Sequence, residues 1–229
     1  MEFTLLAAAA IGAFGVYLAL RFEARRGNAA DCTKNLWDVA MGAMVAGLVV
    51  GRVAAMVADG VSPLANPGDI VIVRAGVATG PASLAALAWV AWVGRTELLL
   101  VADGLAAAAL AGLGGWHAGC LVRDACLGTT SDLPWTFAQP GSTISRHPVE
   151  LYAALLFGLG AVVIARSKTK RPIPGVPAGL ALVLAGTVRL ITEPYRPSLA
   201  GGPVGWYLAA VAGGLIIIAW SRARATAPA

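Results

Sequence analysis

Charge is scarce in this 229-residue chain: only 13% of residues are Asp, Glu, Lys or Arg, where a soluble domain carries about one quarter. With 58% hydrophobic residues and a mean hydropathy of +0.75, a water-soluble globule is excluded. The three cysteines are too few for a disulfide framework. No heptad pattern, low-complexity linker, nucleotide-binding glycine motif or internal repeat is present, which removes a coiled coil, a nucleotide-binding module and a repeat-built transporter. A net charge of +5 would suggest nucleic acid in a soluble protein. In a membrane protein it is the placement of Lys and Arg that carries information, so no nucleic-acid partner is expected.

What the chain does have is long apolar runs. Seven occur, at approximately 4–20, 36–58, 75–94, 98–117, 149–165, 176–195 and 204–220. At about 20 residues per crossing they would use roughly 140 residues. The expected fold is all-α: one polytopic transmembrane domain of seven helices over residues 1–229. Gly94 to Glu97 leaves room only for a tight turn, so the third and fourth spans read as a helical hairpin. Gly112, Gly114 and Gly115 suggest that the fourth span unwinds near Trp116. Eleven of the 17 basic residues, among them Arg21, Arg25, Arg26, Lys34, Arg95, Arg166, Lys168, Lys170, Arg171, Arg222 and Arg224, follow the odd-numbered spans. The positive-inside rule then puts the N-terminus outside and the C-terminus in the cytoplasm. Glu2 precedes the first span and its basic residues follow it, so that span is not expected to be a cleaved signal peptide.

The remaining six arginines, Arg52, Arg74, Arg123, Arg146, Arg189 and Arg196, fall in the outer half or outer face on this topology. A charge deep in a bilayer costs at least ~2.5–3.5 kcal/mol, so Asp38, Arg52, Asp103, Arg189 and Glu193, in or at the edges of spans, are candidates for function with a partner to be found. Arg189 and Glu193 share a helix face at a spacing of four, and Arg196 extends that face if the helix passes Pro194. The pair reads either as an intramembrane ion pair that fixes packing or as part of a phosphate clamp, because guanidinium presents a planar fork to phosphate oxygens. Arg52 reads as a clamp member or as a side chain snorkelling to headgroups. Asp103 and Asp38 read first as helix-start or packing acids. The long outer connection, 118–148, is able to form a small head region. It contains Cys120, Cys126, Trp135 and the Arg146-His147-Pro148 tripeptide. A Cys120–Cys126 disulfide is compatible with the oxidising side. Cys32 is expected to stay reduced, and a cysteine nucleophile near His117 is the rival reading. Two cysteines and one histidine lack the fourth ligand of a structural zinc site, so no metal is expected.

Four segments carry a resemblance: Gly51-Arg52-Val53; Asp103 with a glycine-rich run to Gly119 and then Gly128; Arg146-His147-Pro148-Val149-Glu150-Leu151-Tyr152; and Val188-Arg189-Leu190-Ile191-Thr192-Glu193-Pro194-Tyr195-Arg196. In order and spacing they resemble the prolipoprotein diacylglyceryl transferase family. The resemblance implies a seven-span bacterial inner-membrane enzyme without metal or cofactor. It would move the diacylglyceryl group of phosphatidylglycerol onto a lipobox cysteine thiol of a preprolipoprotein, forming a thioether and releasing glycerol phosphate. It implies catalytic roles for Arg189 and Glu193, with His117 expected to act in place of a family arginine, and substrate binding by Arg52, Arg196, Gly119, Gly128, His147, Tyr152 and Asp103. The chain departs from the family pattern in several places. His117-Ala118-Gly119-Cys120 stands where the family has Arg followed by Gly-Asn, no histidine occurs within Arg74–Pro81, and Tyr17 lies later than the family's first-span tyrosine. A Gly-Cys reading in place of Gly-Asn resembles a divergent branch of the family.

The expectation is therefore a monomeric, multi-pass transferase acting on a membrane phospholipid and a preprolipoprotein signal peptide. A non-catalytic lipid-binding relative and a small transporter are the alternatives.

Overall fold

The computed structural model describes residues 4–26, 32–71, 76–123, 126–139, 141–168, 173–197 and 202–226. Two of the helices begin at residues with a local reason to start one. Helix α1 spans Thr4–Arg25. Helix α2 (Leu36–Ala58) starts where the Asn35 side chain accepts from the Trp37 N–H at 3.0 Å. A single turn, α3 (Gly68–Val71), precedes α4 (Thr79–Val93) and α5 (Leu98–Ala118). After the short α6 (Cys120–Arg123), strands β1 (Phe137–Ala138) and β2 (Ser145–Arg146) pair antiparallel, with Phe137 opposite Arg146. Helices α7 (Val149–Ser167), α8 (Val176–Thr192) and α9 (Val204–Thr226) complete the chain. Gly175, in the left-handed region at φ 91°, turns the chain into α8, and Pro177 occupies its first turn, where a missing N–H costs nothing.

Helix α5 is central, packing on α1, α7 and α8, while α9 lies along α8 and α4 along α2. Leu110, Phe157, Ile164 and Val188 fill the space between α5, α7 and α8. Val16, Val39, Val101 and Leu105 join α1, α2 and α5. Leu155, Leu159 and Val163 on α7 and Leu215 and Ile216 on α9 point outward, as lipid-facing side chains do. Among the described residues, six helices are long and apolar enough to cross a membrane. The chain is thus an all-α, multi-pass membrane protein.

Three expectations change. The third apolar run supplies only 15 helical residues, about 22 Å of helix, because Gly76, Gly80 and Pro81 crowd its start and Pro81 fits only a first turn. The Gly94–Glu97 connection is a tight turn, but α4 and α5 make their main contacts with α2 and with α1 and α7 respectively, so they are not a packed hairpin. The glycines of α5 do not unwind it. The helix is continuous to Ala118, and a Cβ at Gly112 would meet Val16, at Gly115 the Ile11 carbonyl, and at Gly114 the Ala154 carbonyl. They are absent-side-chain positions where α1 and α7 approach closely.

Candidate active site

Helix directions divide the buried charges between two ends of the bundle. At the end where α5 and α8 begin and α1 and α7 finish, Lys168 Nζ lies 2.7 Å from Glu23 Oε1, and the Asp103 carboxylate accepts from the Gly175 and Ala178 N–H groups at 2.7 and 3.0 Å. Asp103 therefore caps α8. It sits at the end opposite the other candidates and is not placed to bind substrate with them.

At the other end a continuous set of side chains forms. Helix α5 brings His117 to its last turn, and the His117 Nδ1 meets Glu150 Oε2 in the first turn of α7. The second Glu150 oxygen receives Arg196 Nε at 3.1 Å. Arg196 Nη1 is 3.5 Å from Glu193 Oε2, which also receives Arg189 Nη2 at 3.1 Å and the Tyr207 hydroxyl at 3.3 Å. The Tyr207 hydroxyl in turn accepts from Arg189 Nε and Nη2 at 3.3 and 3.1 Å. Arg196 joins the set because α8 ends at Thr192 and Pro194 continues the chain as a 3-10 turn, Glu193–Tyr195, that brings residue 196 back over residue 193. His117, Glu150 and Glu193 are all buried, and the Arg189 side chain is 11% exposed. Two guanidinium groups offset two carboxylates, which is how charge is tolerated in such surroundings. One guanidinium nitrogen is left over: Arg189 Nη1 is buried with no hydrogen-bond partner among the described residues.

The head region between α5 and α7 roofs this end. Cys120 and Cys126 form a disulfide, which removes the cysteine-nucleophile reading. Glu150 N–H donates to the Cys126 carbonyl at 3.3 Å. His147 Nδ1 is 3.3 Å from the Tyr152 hydroxyl, which accepts from Trp135 Nε1 at 3.0 Å, and the His147 ring lies 4.9 Å from that of Tyr195. His147 and Tyr152 thus form an aromatic and polar group that touches Tyr195, the residue before Arg196.

Other expectations are corrected here. A Cβ on Gly119 would collide with Ala8, and on Gly128 with the Tyr195 carbonyl, so both glycines permit backbone packing and neither opens onto the charged set. Arg52 is buried and donates to the Asp69 carbonyl at 2.9 Å and to the Gly76 carbonyl at 3.3 Å. It ties down the α2–α4 connection and neither snorkels nor contacts Arg189. Arg146 donates to the Gly128 carbonyl within the head. Of the six outer arginines, Arg189 and Arg196 share a carboxylate, while Arg74 and the Arg123 side chain lie outside the described residues, as do Glu2, Lys170 and Arg171. No group of His, Cys, Asp and Glu suited to a metal ion occurs among the described residues. Two members of the set were missed in sequence: Glu150, masked as a helix-start acid, and Tyr207, an ordinary aromatic in an apolar run.

The family model for prolipoprotein diacylglyceryl transferase matches residues 2–223. Among curated proteins, the phosphatidylglycerol–prolipoprotein diacylglyceryl transferase of Pseudoalteromonas translucida is 31% identical over 147 residues, covering 59% of this chain and 55% of that protein. The enzyme of the same name from Glaesserella parasuis is 34% identical over 115 residues, 49% of this chain and 43% of its own length. That from Pasteurella multocida is 38% identical over 87 residues, 37% and 32% respectively. The chain spans about half the length, or less, of these curated relatives. Matched along nearly its whole length by the family model, and carrying the Arg189, Glu193 and Arg196 set at the head end of its bundle, the chain belongs to the prolipoprotein diacylglyceryl transferase family.

Proposed function

We propose that this protein transfers the diacylglyceryl group of phosphatidylglycerol to the lipobox cysteine thiol of a preprolipoprotein, in the inner membrane of a bacterium, with seven spans, an outer N-terminus and a cytoplasmic C-terminus. The observation that carries the reading is Arg189, a guanidinium fixed by Glu193 and Tyr207 with a buried Nη1 that has no partner among the described residues. A phosphate oxygen of the donor lipid satisfies that N–H. A fixed cation at the phosphate favours its departure, because charge grows on the leaving oxygen as the carbon–oxygen bond breaks. Glu193 and Tyr207 hold the guanidinium, Arg196 adds a second positive charge beside it, and His147 and Tyr152 flank the approach. Family membership and the names of the relatives support the same substrate pair.

One observation favours a second reading, a relative that binds lipid without transferring it: Glu150 and Glu193 balance Arg189 and Arg196, so the set carries no net charge when His117 is neutral. The two readings separate in vesicles containing phosphatidylglycerol labelled in its acyl chains, with a lipobox peptide as acceptor. Labelled thioether product is the expected result. Folded protein that retains labelled lipid and yields no product overturns the transferase reading.

A further inference from the structure

Thiol transfer needs a group to take the thiol proton, and the arginines and ionised carboxylates described above are poorly suited: the former hold their protons and the latter are already occupied as hydrogen-bond acceptors. We propose that Glu150 is a positioning residue that makes the His117 Nε2 the proton acceptor for the incoming thiol. The inference rests on the transferase reading and adds to it the source of the nucleophile.

The geometry comes from three sides. Glu150 cannot turn: one oxygen receives Arg196 Nε at 3.1 Å, the other faces His117, and its backbone N–H is held by the Cys126 carbonyl at 3.3 Å. An ionised carboxylate only accepts, so the imidazole nitrogen facing it, Nδ1, carries the hydrogen. The proton-free nitrogen is then Nε2, which has no hydrogen-bond partner among the described residues. The ring is held in that orientation by stacking on Phe157, with centroids 5.2 Å apart and planes 19° from parallel. A carboxylate that fixes the tautomer of a histidine and then stabilises the imidazolium is the arrangement by which histidine activates weak nucleophiles. The charged groups facing His117 are Glu150 on α7, Arg189 on α8 and Arg196 just beyond it.

The step balances without an oxidant or reductant. The thiol S–H proton passes to Nε2 and the thiolate attacks the glyceryl carbon bonded to the phosphate oxygen. The carbon–sulfur bond forms as the carbon–oxygen bond breaks, with the electron pair remaining on the glycerol phosphate beside Arg189. The proton on His117 then passes to the released phosphate or to water.

The test compares pH profiles of single-turnover transfer in phosphatidylglycerol vesicles for the wild-type protein and Glu150→Gln. A glutamine can accept from Arg196 through its oxygen only by turning its amide N–H toward His117, so Nδ1 becomes the acceptor, the ring hydrogen moves to Nε2, and that nitrogen can no longer take the thiol proton. Wild type is expected to be fast at pH 7. Glu150→Gln is expected to be slower by about 100-fold or more at pH 7, with the KM for lipid little changed. Its rate should climb with pH as the free thiol ionises near its reference pKa of about 8.5. A selenocysteine acceptor peptide, ionised at neutral pH, should restore most of the loss. His117→Gln should show the same profile and the same rescue, which keeps the test decisive if Glu150→Gln does not fold. A wild-type pH profile in either folded variant overturns the inference while leaving the transferase reading intact. So does a loss that is equal at every pH and insensitive to the selenol. Wild-type protein without transfer overturns both readings.

Discussion

Arg189 and Tyr207 are locked together: the guanidinium carbon lies 5.3 Å from the tyrosine ring centroid, and Nε and Nη2 lie 3.3 and 3.1 Å from the hydroxyl. Two of the three guanidinium nitrogens are thereby committed and the third, Nη1, is left over. Arg189→Ala should reduce transfer by at least about 100-fold, the usual effect of losing a donor at a developing negative charge. Tyr207→Phe keeps the ring and loses a hydroxyl that accepts from Arg189 and donates to Glu193, and should reduce transfer by at least about fivefold, the effect of roughly 1 kcal/mol for a single hydrogen bond. Initial rates with labelled lipid at saturating peptide measure both.

Arg52 makes a different prediction, because its guanidinium serves the chain itself. Arg52→Ala takes the donor from the Asp69 and Gly76 carbonyls, both on exposed residues, a loss of about 1.5–3 kcal/mol for a hydrogen bond from a charged group. The variant should unfold at lower temperature and be cut faster by protease between α2 and α4. Its residual folded fraction should transfer at the wild-type rate per molecule.

At the far end of the bundle, Lys168→Met strands the Glu23 carboxylate among α1, α5 and α7. Removing one partner of a buried pair typically costs about 3–5 kcal/mol. The double variant Glu23→Gln with Lys168→Met should recover much of that loss. Thermal unfolding in detergent of the two single variants and the double variant is the measurement, and additive losses would show that the two groups do not depend on each other.

The fold was readable in the sequence wherever a long apolar run opened at a residue that suits the start of a helix, as at Asn35 and Pro177. Arg189 and Glu193 were readable because a spacing of four sets them on one face. Glu150 was not, since its partners His117 and Arg196 lie 33 and 46 positions away and nothing local distinguishes it from a helix-start acid. Tyr207 was hidden for a related reason: its ring suits an apolar helix and only its hydroxyl oxygen takes part. The α5 glycines pointed toward a break in the helix, because sequence alone does not separate a glycine that frees the backbone from one that admits a neighbouring helix.

The Thr33 and Glu97 pair makes stability depend on pH outside the spans. The Glu97 carboxylate accepts from the Thr33 hydroxyl at 2.6 Å and from its N–H at 2.9 and 3.1 Å. The hydroxyl contact is the larger cause, and together these bonds hold the Glu97 carboxyl below its usual 4.5. A carboxyl depressed in the folded state contributes stability that is present above the unfolded value and is lost as pH falls through the folded one. The melting temperature should therefore decline below about pH 4.5 less steeply in Glu97→Gln than in wild type. Parallel melting curves from pH 6 to pH 3 test this.

The turn after α8 imposes a constraint of number rather than of residue type. Because Glu193–Tyr195 is wound as a 3-10 turn, three steps make one revolution and Arg196 returns above Glu193. Adding one residue between them would carry the guanidinium about 120° around the axis, away from both Glu193 and Glu150. Chains that preserve this junction should therefore vary more readily at Tyr195 than in the count of residues separating Glu193 from Arg196.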